Sequence, residues 1–137
     1  MARPLILDAE AVSVLARASE DAKSARRAQA VLVAAHQAGT LVRVPAAVLA
    51  EVYRGGPRDA AVDWVLRRTC QVVPTTQRVA RCVGALLARE GLNSAHAIDA
   101  FVVATAIRLG GGVIVTHDPT DMSRLAQRHP NVKLAPI

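Results

Sequence analysis

The chain has 137 residues, enough for one ordinary domain and too short for two comfortable ones. Apolar residues make up 52% and charged residues 20%, which excludes wholesale disorder, while an aromatic content of 2% excludes single-strand binding modules built on stacking platforms. The net charge is +6, and all but two of the 17 basic residues are Arg, which suits phosphate-bearing or acidic partners. Arg and Ala richness also follows from a GC-rich coding bias, so charge by itself is weak ground for nucleic acid. Cys70 and Cys82 have neither zinc-site nor disulfide-scaffold spacing. The apolar stretch before Asp8 is too short for a signal-peptide core, and the longest uncharged stretch, Ala28 to Val42, is too short to span a bilayer. The expectation is a cytoplasmic protein with no membrane contact.

In chain order, Pro4 to Leu7 is an apolar run of the kind that forms a buried parallel strand, closed by Asp8. Helical spacing follows from Ala9 to Ala18 and from Asp21 to Gln37, closed by Gly39. Leu41 to Val44 reads as the second strand, and Pro45 as the first residue of a helix running to about Arg54. Pro57 opens another helix through Arg67, Cys70 to Val73 is a third strand, and Thr76 to Glu90 a long helix. Asn93 or Ser94 caps the next helix, which ends at Gly110-Gly111-Gly112. Val113 to Val115 is the most strand-like run, followed by a helix from Asp118-Pro119 through Arg128 and an edge segment near Val132 to Leu134. Strands alternating with helices predict one α/β domain over residues 1–137. Its sheet should be mainly parallel, with four to five short strands, and its sites should form at the carboxyl ends of those strands.

The placement of the acids is the informative feature. Seven of the eleven (Glu10, Glu20, Asp21, Asp59, Asp63, Glu90 and Asp121) lie in polar or helix-terminal surroundings, where solvation is the default. The other four sit against apolar runs: Asp8, Glu51, Asp99 and Asp118. Asp8 and Asp118 fall at strand ends, where each has a second reading as a helix N-cap. Asp99 is expected about five residues inside its helix, facing Ala95, Val102 and Val103, with no cation on that face nearer than Arg108. Burying it uncompensated costs several kcal/mol, so a metal ion is the economical partner. Four converging carboxylates make an oxygen-rich site suited to Mg²⁺ or Mn²⁺, able to activate a water and neutralise charge on a phosphodiester. Glu10 and Asp121 stand close enough in sequence to be outer ligands. His96, one turn before Asp99, and Arg54, one turn after Glu51, are weaker candidates for contact with RNA; Arg54 equally suits an ion pair with Glu51. His117 beside Asp118 is weaker still.

Leu5-Ile6-Leu7-Asp8-Ala9, Pro45 to Val52 with Glu51, Ile98-Asp99-Ala100, and Val115-Thr116-His117-Asp118 with Asp121-Met122 together resemble the PIN-domain ribonucleases of the VapC toxin type. The resemblance covers nearly the whole chain. It implies a three-layer α/β fold and a Mg²⁺- or Mn²⁺-dependent endoribonuclease site built on Asp8, Glu51, Asp99 and Asp118. In that reading Asp8, Asp99 and Asp118 bind the metal, and Glu51 orients the water or holds a second ion. It further implies a homodimer neutralised by an antitoxin protein. Glu10 departs from the Ser or Thr usual at its position, and Met122 replaces a commoner Phe or Leu. Glu10 keeps open an alternative, a catalytically weak PIN-like module that binds RNA or a partner. Asp8-Ala9-Glu10 also mimics the acid pair of haloacid-dehalogenase-like phosphatases, but Lys23 and Lys133, the only lysines, are poorly placed for their phosphate contact.

Overall fold

In the computed structural model, residues 3–17, 22–117 and 119–137 are described. The expected Asp118 site, and the acids Glu20 and Asp21, lie outside them.

Strand β1 (Leu5–Leu7) leads through α1 (Ala9–Ala16) and α2 (Ala22–Gln37) to β2 (Val42–Pro45). A 3₁₀ turn (Ala46–Val48), α3 (Leu49–Val52) and α4 (Asp59–Thr69) connect β2 to β3 (Gln71–Val73). Next come α5 (Gln77–Arg89), a second 3₁₀ turn (Ser94–His96) and α6 (Ala97–Arg108). The chain closes with β4 (Gly112–Thr116), α7 (Pro119–Ala126) and β5 (Val132–Pro136). The five strands form one parallel sheet in the order β3-β2-β1-β4-β5, with Leu5 opposite Val42 on one side and Leu7 opposite Val115 on the other. Burial follows position: β1, flanked on both sides, is fully buried, whereas the edge strands β3 and β5 carry exposed residues.

Right-handed crossovers put α1, α2 and α4 on one face and α5, α6 and α7 on the other. The packing agrees, with α1 against α2 and α4, and α6 against α5 and α7. The core between these layers is aliphatic, built around Ile6, Val12, Val44, Val102, Val103 and Ile114. Before β4 the chain turns through Gly111, whose φ of +114° an L side chain rarely adopts and whose Cβ would lie 2.6 Å from the Asn131 carbonyl oxygen.

Several boundaries differ from the sequence expectation. Pro45 ends β2 and precedes a 3₁₀ turn rather than opening an α-helix; its N–H-less backbone at the strand end halts the ladder. Pro57 lies in a turn, and α4 starts at Asp59, because the Asp59 carboxylate accepts the Arg54 and Gly55 N–H groups (3.0 and 2.9 Å) and gathers residues 54–58 into a loop. Leu41 stands outside β2 and is exposed. Helix α7 ends at Ala126, short of Arg128.

Glu90, expected in solvent, is buried. It accepts hydrogen bonds from the Gln127 side-chain amide and from Arg128 Nε (3.2 Å), while its backbone oxygen accepts Arg124 Nη2 at 2.6 Å. These contacts fasten the end of α5 to α7. Asp63 likewise accepts the Tyr53 hydroxyl.

Candidate active site

The strand order reverses between β1 and β4. β1 continues through α1 on one face and β4 through α7 on the other, which opens a crevice at their carboxyl ends. A cleft of ≈ 210 Å³ occupies that position. Asp8, Glu10, Glu51, Asp99, Thr116 and Asp121 line it, with Ala95 and Ile98 as its apolar wall.

Asp8 leaves β1 at the centre of this crevice and is 4% exposed. It is also the N-cap of α1, its Oδ1 accepting the Ala11 N–H at 2.8 Å. The two readings of this residue are therefore compatible: one carboxylate caps a helix and faces the cleft. Burial pushes its pKa up to about 6, and the Asp99 and Glu10 charges add to that. Hydrogen bonds from the Thr116 hydroxyl and the Ala11 N–H oppose the rise without cancelling it.

Asp99 reaches the cleft from the opposite helical layer. A 3₁₀ turn capped by Asn93 precedes α6, so Asp99 is the third residue of the α-helix rather than five residues inside one. In that first turn its negative charge lies at the positive end of the helix dipole, a contribution the sequence reading left out. Its side chain is part-exposed toward the cleft.

Glu51 is brought in by the segment Ala46 to Val52, which packs against α1 on one side and α6 on the other. Although its neighbours in sequence are apolar, Glu51 is exposed, because a four-residue helix at the sheet's rim has no buried face to offer it. Glu10 is exposed on the first turn of α1. Asp121 sits in the first turn of α7, with Oδ2 3.7 Å from His96 Nδ1, so His96 faces a carboxylate at the cleft's edge. Arg54 forms no ion pair with Glu51 among the described residues; its Nη1 donates to the Ala50 and Tyr53 carbonyls, both at 2.9 Å. His117 is exposed.

Thr116 is the cleft residue that sequence reasoning missed. Its signal was its place in a strand-end run two residues before an acid, where a hydroxyl naturally faces the mouth of the sheet.

The PIN-domain family profile matches residues 5–127, and thus spans every element that builds the cleft. The chain belongs to the PIN-domain family. Among solved structures, this PIN domain resembles VapBC2 from Rickettsia felis bound to a DNA fragment from its promoter, with a TM-score of 0.67 and 16% identity over 97% of this chain and 98% of that one. It also resembles VapBC-1 from nontypeable Haemophilus influenzae, with a TM-score of 0.60 and 14% identity over 96% of each chain. At these identities the likeness is one of fold. No curated protein matches the chain.

The cleft's donor set is oxygen alone, with no thiol or imidazole among its lining residues, which is the chemistry of Mg²⁺ or Mn²⁺ rather than zinc. Among the described residues, no three His, Cys, Asp or Glu side chains are grouped closely enough to hold an ion by themselves. Asp8 and Asp99 nevertheless destabilise each other as charges, the condition a divalent cation relieves.

Proposed function

We propose that this PIN domain is a metal-dependent endoribonuclease that hydrolyses RNA phosphodiester bonds, acting as the toxin of a toxin–antitoxin pair. The observation that carries this reading is Asp8, buried at the switch point of the sheet with Asp99 and Glu10 near enough to raise its pKa. A structural capping residue needs no second carboxylate from another layer; a site for a divalent cation does. Asp8 and Asp99, joined by Asp118, hold the ion, and Glu10 and Asp121 act as outer ligands. Bound Mg²⁺ or Mn²⁺ supplies a lowered water pKa and charge neutralisation at the phosphodiester. The chain's own groups do the rest. The Thr116 hydroxyl fixes the orientation of the Asp8 carboxylate, Glu51 on the open rim orients the attacking water or holds a second ion, and Ala95 and Ile98 keep that side of the cleft apolar. His96, held by Asp121, and Arg54 at the rim face the RNA.

The VapBC assemblies it resembles support an antitoxin as protein partner; the toxin itself is proposed as a homodimer, with the exposed Val33, Leu41, Trp64 and Leu109 as apolar surface for such contacts. No described helix is long and apolar enough to cross a membrane.

The test is digestion of a mixed RNA pool by purified protein with Mg²⁺, with Mn²⁺ and with EDTA, beside Asp99→Asn. Cleavage that needs metal and falls about 100-fold or more in the variant is expected. A folded, antitoxin-free protein that cuts nothing with either metal returns the function to RNA or partner binding, and Glu10→Ser would then show whether the added carboxylate is the obstacle.

A further inference from the structure

A second concavity adjoins the cleft. It measures ≈ 500 Å³ and runs between α1, the loop after α3 and the first turn of α4. Glu51 lines both, so the two meet at its side chain. Only the larger lies within the size range of about 300–1,000 Å³ typical of sites that enclose an organic ligand.

Their electrostatics are opposite. The cleft is lined by five carboxylates, whereas the groove presents Arg17, Arg54 and Arg58. Two of these guanidinium groups are oriented by neutral backbone oxygens, which steer a cation without neutralising it: Arg54 by Ala50 and Tyr53, and Arg17 by Ser13 (3.4 Å). Asp59, the other acid lining the groove, directs both oxygens to the N–H groups of Arg54 and Gly55 and so holds the loop in shape. The floor is aliphatic, with Ala16, Val52 and Val62. Glu10, Ser13 and Arg17 are spaced three and four apart, so one face of α1 runs from the acidic cleft into the basic groove.

The geometry points to this groove as the track of the RNA strand leading away from the scissile bond, with Arg17, Arg54 and Arg58 as its phosphate contacts. The inference rests on the ribonuclease reading of the cleft. A polyanion entering five carboxylates is repelled along its length except where cation is bound, and a row of planar guanidinium forks beside the cleft offsets that repulsion by bidentate contact with phosphate oxygens. An aliphatic floor offers sugars and base edges no hydrogen-bonding code, so the groove binds without selecting sequence. An acidic segment of a partner protein is the competing occupant.

The experiment compares wild type with the Arg17→Gln, Arg54→Gln and Arg58→Gln variants, singly and combined. Each is titrated into a fluorescein-labelled single-stranded RNA dodecamer of mixed sequence, in EDTA, with affinity read by anisotropy between about 50 and 200 mM salt. Each phosphate contact contributes about 0.7 to the slope of log affinity against log salt on a single strand, so the slope flattens by about 0.7 in each single variant and about 2 in the triple variant. An unchanged slope in a triple variant with wild-type circular dichroism overturns the proposal. A labelled Glu-Ala repeat peptide is titrated in parallel. If wild type binds the peptide more tightly than the RNA, and the triple variant loses the peptide, the groove belongs to a protein partner and the proposal also falls. Cleavage of the RNA pool by wild type is scored separately. Cleavage with an unchanged slope defeats the groove alone, whereas a flattened slope without cleavage defeats the nuclease reading and supports the groove as an RNA site.

Discussion

Asp8 carries two jobs with one carboxylate, and its surroundings leave a thermodynamic trace. Its pKa is about 6 in the folded chain against 3.8 for the ordinary side chain, so between those values the folded protein binds more protons than the unfolded one. Stability is therefore greatest below about pH 4, as far as this group is concerned, and is lost as pH rises toward 6; a shift of this size corresponds to about 3 kcal/mol. Asp8→Asn keeps a competent N-cap and removes the charge. In EDTA the variant should be more stable than wild type at pH 8 by about 1–3 kcal/mol, and the gap should close near pH 4. Urea unfolding at the two pH values reads this directly. A gap that ignores pH would mean that the buried charge is not what strains the site. Glu51 belongs to the opposite case: it is exposed, so Glu51→Gln should change stability by less than about 0.5 kcal/mol while lowering cleavage by about 100-fold.

Among the elements, α7 ties the site to the rest of the fold, because its first turn carries Asp121 and its last turn is anchored to α5. The anchor is Glu90, which Gln127, Arg124 and Arg128 all reach. Glu90→Ala removes two side-chain hydrogen bonds, one of them from a charged donor. The expected loss is about 1–3 kcal/mol in urea unfolding, discounted toward the lower figure because Arg128 is 60% exposed. Cleavage should fall with it if α7 must be docked to present Asp121; full activity in a destabilised variant would separate the anchor from the site. The sequence hid this element pairing because Glu90 reads as an ordinary solvated helix end, and its partners lie 34 to 38 residues away.

At the scale of the whole molecule, the parallel sheet and its reversal of strand order bring acids from four separate segments to one crevice. A cation bound there stabilises the folded state by mass action. At about 100 times its Kd the gain is about 2.7 kcal/mol, so Mn²⁺ should raise the melting temperature of wild type measurably. Asp8→Asn and Asp99→Asn should lose most of that shift. An equal shift in all three proteins would place the ion elsewhere.

The sequence by itself determined the alternation of strands and helices, the parallel sheet, and the acids worth watching, because hydrophobic period and the cost of a carboxylate among apolar neighbours are local properties. Gly55-Gly56, Gly91 and Gly110-Gly111-Gly112 likewise announced where elements stop. Exposure was not legible in the same way: Glu51 has apolar neighbours yet stands in solvent, and Glu90 has polar ones yet is buried. Sequence neighbours set periodicity, but burial is set by what packs across from a residue. Tertiary structure also decided that Asp99 occupies the first turn of its helix, that Thr116 holds Asp8, and that Arg17 and Arg58 line one groove with Arg54. The last two relations join segments tens of residues apart, and only the closing of helical layers over the sheet brings them within reach of one another.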